Sequence, residues 1–124
     1  MRGLFDRLAA GKREVNAVTS IAAHLTQLLN ARQGSVLTDP AYGLPDLTDW
    51  VREWPQGPRK MEQAIAVVIA NYEPRLTQVT VRFVPTEATP LLRFQVAARL
   101  ASDPRKQVRF HTQLDATGRF ELCR

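Results

Sequence analysis

The spacing of apolar residues changes once along this chain, and the change falls at Leu76. Before it, Val18, Ile21, Ala22, Leu25, Leu28 and Leu29 recur at intervals of three and four, and so do Met61, Ala64, Ile65, Val68, Ile69 and Tyr72. After it, apolar residues alternate with polar ones: Val79, Val81 and Phe83; Leu92, Phe94, Val96, Ala98 and Leu100; Val108, Phe110, Thr112 and Leu114; then Phe120 and Leu122. A period near 3.6 buries one stripe of a helix, whereas a period of 2 buries one face of a strand. The pattern therefore predicts a two-layer α+β domain, with two main helices and a short third packed on one face of a four-stranded antiparallel sheet.

Breakers divide these segments. The first long helix is predicted over residues 15–33, with Gly34 as its stop. Pro40, Gly43 and Pro45 then interrupt regular structure, and Asp46 is placed to cap a short helix through Leu47, Trp50 and Val51. Trp50 and Trp54 would share a face of that helix, which reads as core packing in so small a domain. Pro58 suits the first turn of the second long helix. Pro74 ends it, because proline lacks an amide proton and drives Glu73 out of the α region. Strand turns are expected at residues 85–90, at Ser102-Asp103-Pro104, and at a tight hairpin from Asp115 to Gly118. Residues 1–14, polar apart from Leu4, Phe5 and Leu8, read as a flexible N-terminal docking segment ahead of a single domain over 15–124.

A chain of 124 residues with 44% hydrophobic content suits one modest core rather than two. No run approaches the roughly 18 apolar residues of a membrane span. The opening also lacks a signal-peptide stretch, so a cytosolic protein is expected. With one cysteine, Cys123, and two histidines, no internal disulfide, metal cluster or cofactor is expected. His24 falls at the margin of the first helical stripe, where a hydrogen-bonded histidine is commoner than a ligand.

Seventeen basic residues against twelve acidic ones give a net charge of +5. Residues 1–76 hold 9 basic and 8 acidic residues, and residues 77–124 hold 8 and 4, so the excess belongs to the strand half. Arg82, Arg93, Arg99, Arg109 and His111 fall on the sheet face away from the helices. That face is either simply solvated or meets nucleic acid or an acidic partner. Phe83, Phe94 and Phe110 share the apolar register, leaving arginines without a stacking surface, which disfavours nucleic acid.

Catalytic signatures are sparse. There is no Gly-x-Ser-x-Gly elbow and no phosphate-cradling glycine motif, which argues against nucleophilic catalysis and nucleotide cofactors. Glycan cleavage needs two carboxyls, one with a raised pKa. Glu73, Asp46 and Asp49 are the candidates, but Asp46 has a capping role and Arg75 beside Glu73 would lower its pKa.

The unusual constellation is Tyr72-Glu73-Pro74-Arg75-Leu76. A carboxylate at a helix C-terminus opposes the macrodipole at a cost of about 0.3–1 kcal/mol, and Arg75 is the nearest compensating charge. The pair either seals the corner internally or is held ready for a partner's backbone or charged groups.

Together with Ser20-Ile21, His24-Leu25, Leu28-Leu29-Asn30-Ala31-Arg32 and Tyr42-Gly43-Leu44-Pro45-Asp46, this corner resembles the TssE family of type VI secretion baseplate subunits. That family is itself similar to the lysozyme-like baseplate wedge protein of contractile-tailed phages. Leu4-Phe5-Asp6-Arg7-Leu8 resembles its N-terminal docking segment, and Phe110 to Asp115 with Gly118 its closing hairpin. The resemblance implies a non-enzymatic wedge subunit that joins TssF and TssG and helps couple the baseplate to the TssB/TssC sheath. It implies a location in the bacterial cytoplasm, in a baseplate docked at the inner membrane. It places Glu73, Pro74 and Arg75 at the wedge contact, and gives Asn30, Arg32 and Gly43 to Asp46 less defined partner roles. The alternatives are a nucleic-acid-binding or anti-adaptor-type module using the basic face, and, more remotely, a glycan-cleaving enzyme.

Overall fold

The computed structural model describes residues 4–53, 55–85, 92–115 and 117–123, with the side chains of residues 4–10, 14, 48 and 52 excepted. Helix α1 spans Leu4–Asn30, α2 Thr48–Arg52 and α3 Gln56–Tyr72. Strands β1 (Leu76–Val84), β2 (Leu92–Leu100), β3 (Gln107–Leu114) and β4 (Phe120–Cys123) follow. They form one sheet in chain order, with every neighbouring pair antiparallel. The α+β architecture expected from the change of period is the one observed. None of the described helices is long and apolar enough to cross a membrane.

The core lies between the helical stripes and one sheet face. Ile21, Leu25, Leu28 and Leu29 of α1 and Met61, Ile65, Val68 and Ile69 of α3 are buried against Val81, Phe94, Val96, Phe110, Leu114 and Phe120. Trp50 packs at the margin, while Trp54 lies outside the described residues, as does most of the expected 85–90 turn.

Three boundaries differ from the sequence reading. Helix α1 begins at Leu4, so residues 4–14 continue the helix. Leu, Ala, Lys, Arg and Glu dominate there, and their helix propensity outweighs the roughly 1 kcal/mol cost of Gly11. The same helix ends at Asn30 rather than Gln33, because the next residues pair with a distant strand-like segment. Leu44 N–H donates to the Ala31 carbonyl (2.9 Å), and Gln33 N–H donates to the Leu44 carbonyl (3.0 Å). Gly34 takes its left-handed conformation (φ 90°) in the ensuing turn. Finally, Leu47 rather than Asp46 occupies the N-cap of α2, with no side-chain cap hydrogen bond. Pro45 and the pairing of Leu44 hold the chain just before it, so the helix starts one residue later than the capping preference suggests.

Strand β1 carries a bulge. Thr77 pairs with Arg99 and Thr80 with Ala97, leaving an extra residue on β1, and Gln78 there adopts φ 51°. The insertion lets Leu76 and Val79, three apart, both face the core before the regular alternation of Val81 and Phe83 resumes. Further along the strand, Glu62 of α3 accepts a hydrogen bond from the Phe83 N–H (2.6 Å), which caps one backbone group of this edge strand.

Candidate interaction site

The corner between α3 and β1 is built around a buried carboxylate. Glu73 has left the helix, with φ −125° and ψ 84° as a residue before proline requires, while its N–H still donates to the Ile69 carbonyl (2.9 Å). Its side chain is 1% exposed. Arg75 Nε donates to Oε1 (2.8 Å) and Nη2 to Oε2 (3.1 Å), a two-pronged guanidinium clamp, and the Arg75 N–H adds a third bond to Oε1 (3.2 Å). From α1, His24 Nδ1 donates to Oε2 at 2.6 Å. Arg75 Nη1 donates to Ser20 Oγ (2.9 Å), and the Arg75 carbonyl accepts from Ala101 N–H (2.8 Å). One residue thereby joins α1 and the corner through its side chain and the β2–β3 turn through its carbonyl.

Burial pushes the Glu73 carboxyl up. The hydrogen bonds from Arg75 and His24, with the guanidinium charge, outweigh it and hold the carboxyl below its ordinary range. The bond to Glu73 in turn raises the Arg75 guanidinium pKa. A carboxyl held ionised cannot serve as a general acid at neutral pH, as the sequence reading anticipated for Glu73 beside Arg75. The internal ion pair is present, and it answers the unfavourable helix macrodipole at Glu73. The Arg75 side chain nevertheless remains 44% exposed. Glu73 is thus out of a partner's reach, whereas Pro74 and the outer edge of the guanidinium are open.

A second cluster sits at the C-terminal end of α1. Asn30 pairs with the backbone of β4 as a strand would: its Oδ1 accepts from Phe120 N–H (2.8 Å) and its Nδ2 donates to the Phe120 carbonyl (3.0 Å). Gly43, at φ 99°, presses on the backbone of Ala31, where a Cβ would collide with the Ala31 carbonyl. Leu44 is in the core, and Arg32 and Asp46 are exposed, with Pro45 half-buried between them. Tyr72 ties the same loop to α3, its hydroxyl donating to Asp39 Oδ1 (2.8 Å) and its ring meeting Tyr42 edge-on. The bond to the Asp39 carboxylate raises the Tyr72 phenol pKa.

The residues singled out from the sequence therefore gather at two points along α1, Glu73 to Arg75 against Ser20 and His24, and Gly43 to Asp46 beside its end at Asn30. At 1.5 Å per residue they are about 9–15 Å apart along the helix. Leu4, Phe5 and Leu8 lie on the first turns of α1, and their side chains fall outside the described residues. Ser20 and His24 were not singled out as site residues. Their signal was a polar pair four apart beside the apolar stripe, which is silent about what stands opposite. His24 is hydrogen-bonded at a core margin, as expected.

A helical layer on a meandering antiparallel sheet, with a proline-locked Glu–Arg corner between the two, defines a small α+β domain. The chain belongs to the baseplate wedge protein gp25 family, whose model matches residues 15–105. No protein of curated function matches the sequence significantly. Among solved structures, a chain of the baseplate complex from the type VI secretion system superposes with a TM-score of 0.69 at 22% identity, covering 82% of this chain and 95% of that one. A Geobacter sulfurreducens protein assigned as a tail lysozyme superposes with a TM-score of 0.61 at 21% identity, covering 78% of this chain and 88% of that one. At these identities the two structures speak to fold.

Proposed function

We propose that this chain is a non-enzymatic wedge subunit of a type VI secretion baseplate, joining the TssF and TssG wedge proteins and helping to couple the baseplate to the TssB/TssC sheath. The observation that carries this reading is the α3–β1 corner. A fully buried carboxylate orients an arginine whose outer edge stays exposed, an arrangement suited to presenting a preset guanidinium to a partner. Three of its five N–H donors are used internally, by Glu73 and Ser20, leaving two for a partner. Family membership, and the fold shared with a type VI baseplate chain, support the same reading. In it, Pro74 and Arg75 contact the wedge partners, with Glu73 as the positioning residue. Arg32, Pro45 and Asp46 form a second contact at the end of α1. Asn30, Gly43 and Leu44 shape that end, and Leu4, Phe5 and Leu8 dock the N-terminal turns.

Co-expression with TssF and TssG of the same genome, followed by size-exclusion chromatography with light scattering, tests the assignment. A complex containing all three chains is expected. Arg75→Lys keeps the charge but loses the two-pronged geometry, so it should reduce the fraction of this chain in the complex. Elution of this chain alone, while TssF and TssG associate, would overturn the reading. Lysis of purified peptidoglycan by the isolated chain would overturn its non-enzymatic part.

A further inference from the structure

The sheet face away from the helices is uncovered and basic. Register places Arg82 of β1, Gln95 of β2 and His111 of β3 in one row, and Thr80, Ala97 and Arg109 in the next. Arg82 and Arg109 thus rise two strands and one row apart, about 12 Å at the backbone. Small Ala97 forms the floor between them, and Thr80, Gln95 and Gln107 complete the lining of a shallow hollow. Arg99 is held by this chain through a bond to the Pro104 carbonyl (2.9 Å). Among the described residues neither the Arg82 nor the Arg109 guanidinium joins an ion pair or donates a hydrogen bond. The acid on this face among the described strand residues is Glu121, which stands on the far edge strand β4, opposite Gln113. Two exposed arginines thus flank the hollow, and no acid among the described residues pairs with either, so the local charge is positive.

We propose that this open face docks an acidic protein segment, with a glutamate or aspartate carboxylate received between Arg82 and Arg109. Charge complementarity names the occupant. Nucleic acid fits less well, because the phenylalanines Phe83, Phe94, Phe110 and Phe120 are all turned to or packed against the core, leaving no described aromatic on this face for base stacking. The surface is distinct from the α3–β1 corner, and the proposal goes beyond the baseplate assignment without depending on it.

Titration of the isotope-labelled full chain with a short poly-L-glutamate peptide tests the proposal, read by amide chemical shifts and by anisotropy. Shifts should concentrate at Thr80, Arg82, Ala97 and Arg109, and binding should weaken as salt is raised. The double reversal R82E/R109E should weaken binding by about tenfold or more, while K12E/R13E on α1 leaves it unchanged. If the reversal disturbs folding, R82Q/R109Q carries the same expectation of weakened binding. Shifts that map elsewhere, or binding indifferent to both pairs of substitutions, would overturn the proposal. So would tighter binding at this face by a thymidine oligonucleotide of equal charge, which would point to nucleic acid instead. Because the test uses the isolated chain, its failure leaves the co-purification result untouched.

Discussion

At the scale of single residues, Glu73 is the group on which most depends. Removing the Arg75 side chain strips two hydrogen bonds from a carboxylate that stays buried. Water can enter where the half-exposed guanidinium stood, so the cost falls below that of a fully buried pair. Arg75→Ala should therefore lose about 1–3 kcal/mol in urea denaturation. The pH dependence follows from the direction of the shift. The folded-state pKa of Glu73 lies below its ordinary value of 4.5, so its stabilisation is fully present above 4.5 and is lost as pH falls through that value toward the folded one. Glu73→Gln should make the midpoint of thermal unfolding less sensitive to pH over this acid range than in the parent. Glycines offer a paired comparison. Gly43 and Gly118 both have positive φ, but only Gly43 abuts backbone. Gly118→Ala should cost about 1–2 kcal/mol for the left-handed conformation alone. Gly43→Ala adds a collision with Ala31 and should cost about 2–4 kcal/mol by the same urea assay.

At the scale of elements, the two ends of α1 show what periodicity can and cannot convey. The stripe from Val18 to Leu29 marked the buried face, and it is buried as marked. The end of the helix falls before the one that Gly34 signals, because its cause, pairing of Ala31 and Gln33 with Leu44, is non-local. The Asn30 bridge is equally invisible: nothing local distinguishes an asparagine that frays into solvent from one that pairs with a strand 90 residues on. Asn30→Ala leaves a β4 amide and carbonyl without partners, so it should cost about 1–3 kcal/mol. Native-state hydrogen exchange should then show the Phe120 amide deprotected well before those of β2. The bulge at Gln78 has the same character. Its trace in the sequence is the three-residue step from Leu76 to Val79, readable as a bulge only once the strand partner is known.

At the scale of the whole molecule, one core joins both helical stripes to a sheet whose strands pair in chain order. Such a core should unfold as a unit, so urea transitions followed by far-UV circular dichroism and by tryptophan fluorescence should coincide. Separation of the two curves would show that the α2 region, where Trp50 packs at the core margin, opens independently. Alternating patterns determined by themselves that there would be four strands with one apolar face, that the arginines would gather on the other, and that Pro74 would turn a helix into a strand. These follow from local sterics and from the need to remove apolar area from water, both written in residue order. The tertiary structure alone decided that Glu73 would be sealed by His24 and Arg75, that Arg75 would keep an exposed edge, and that Asn30 would join α1 to β4. Each of these depends on which groups meet across the chain, and hydrogen bonds, unlike apolar burial, are short-ranged and directional and leave no periodic trace in the sequence.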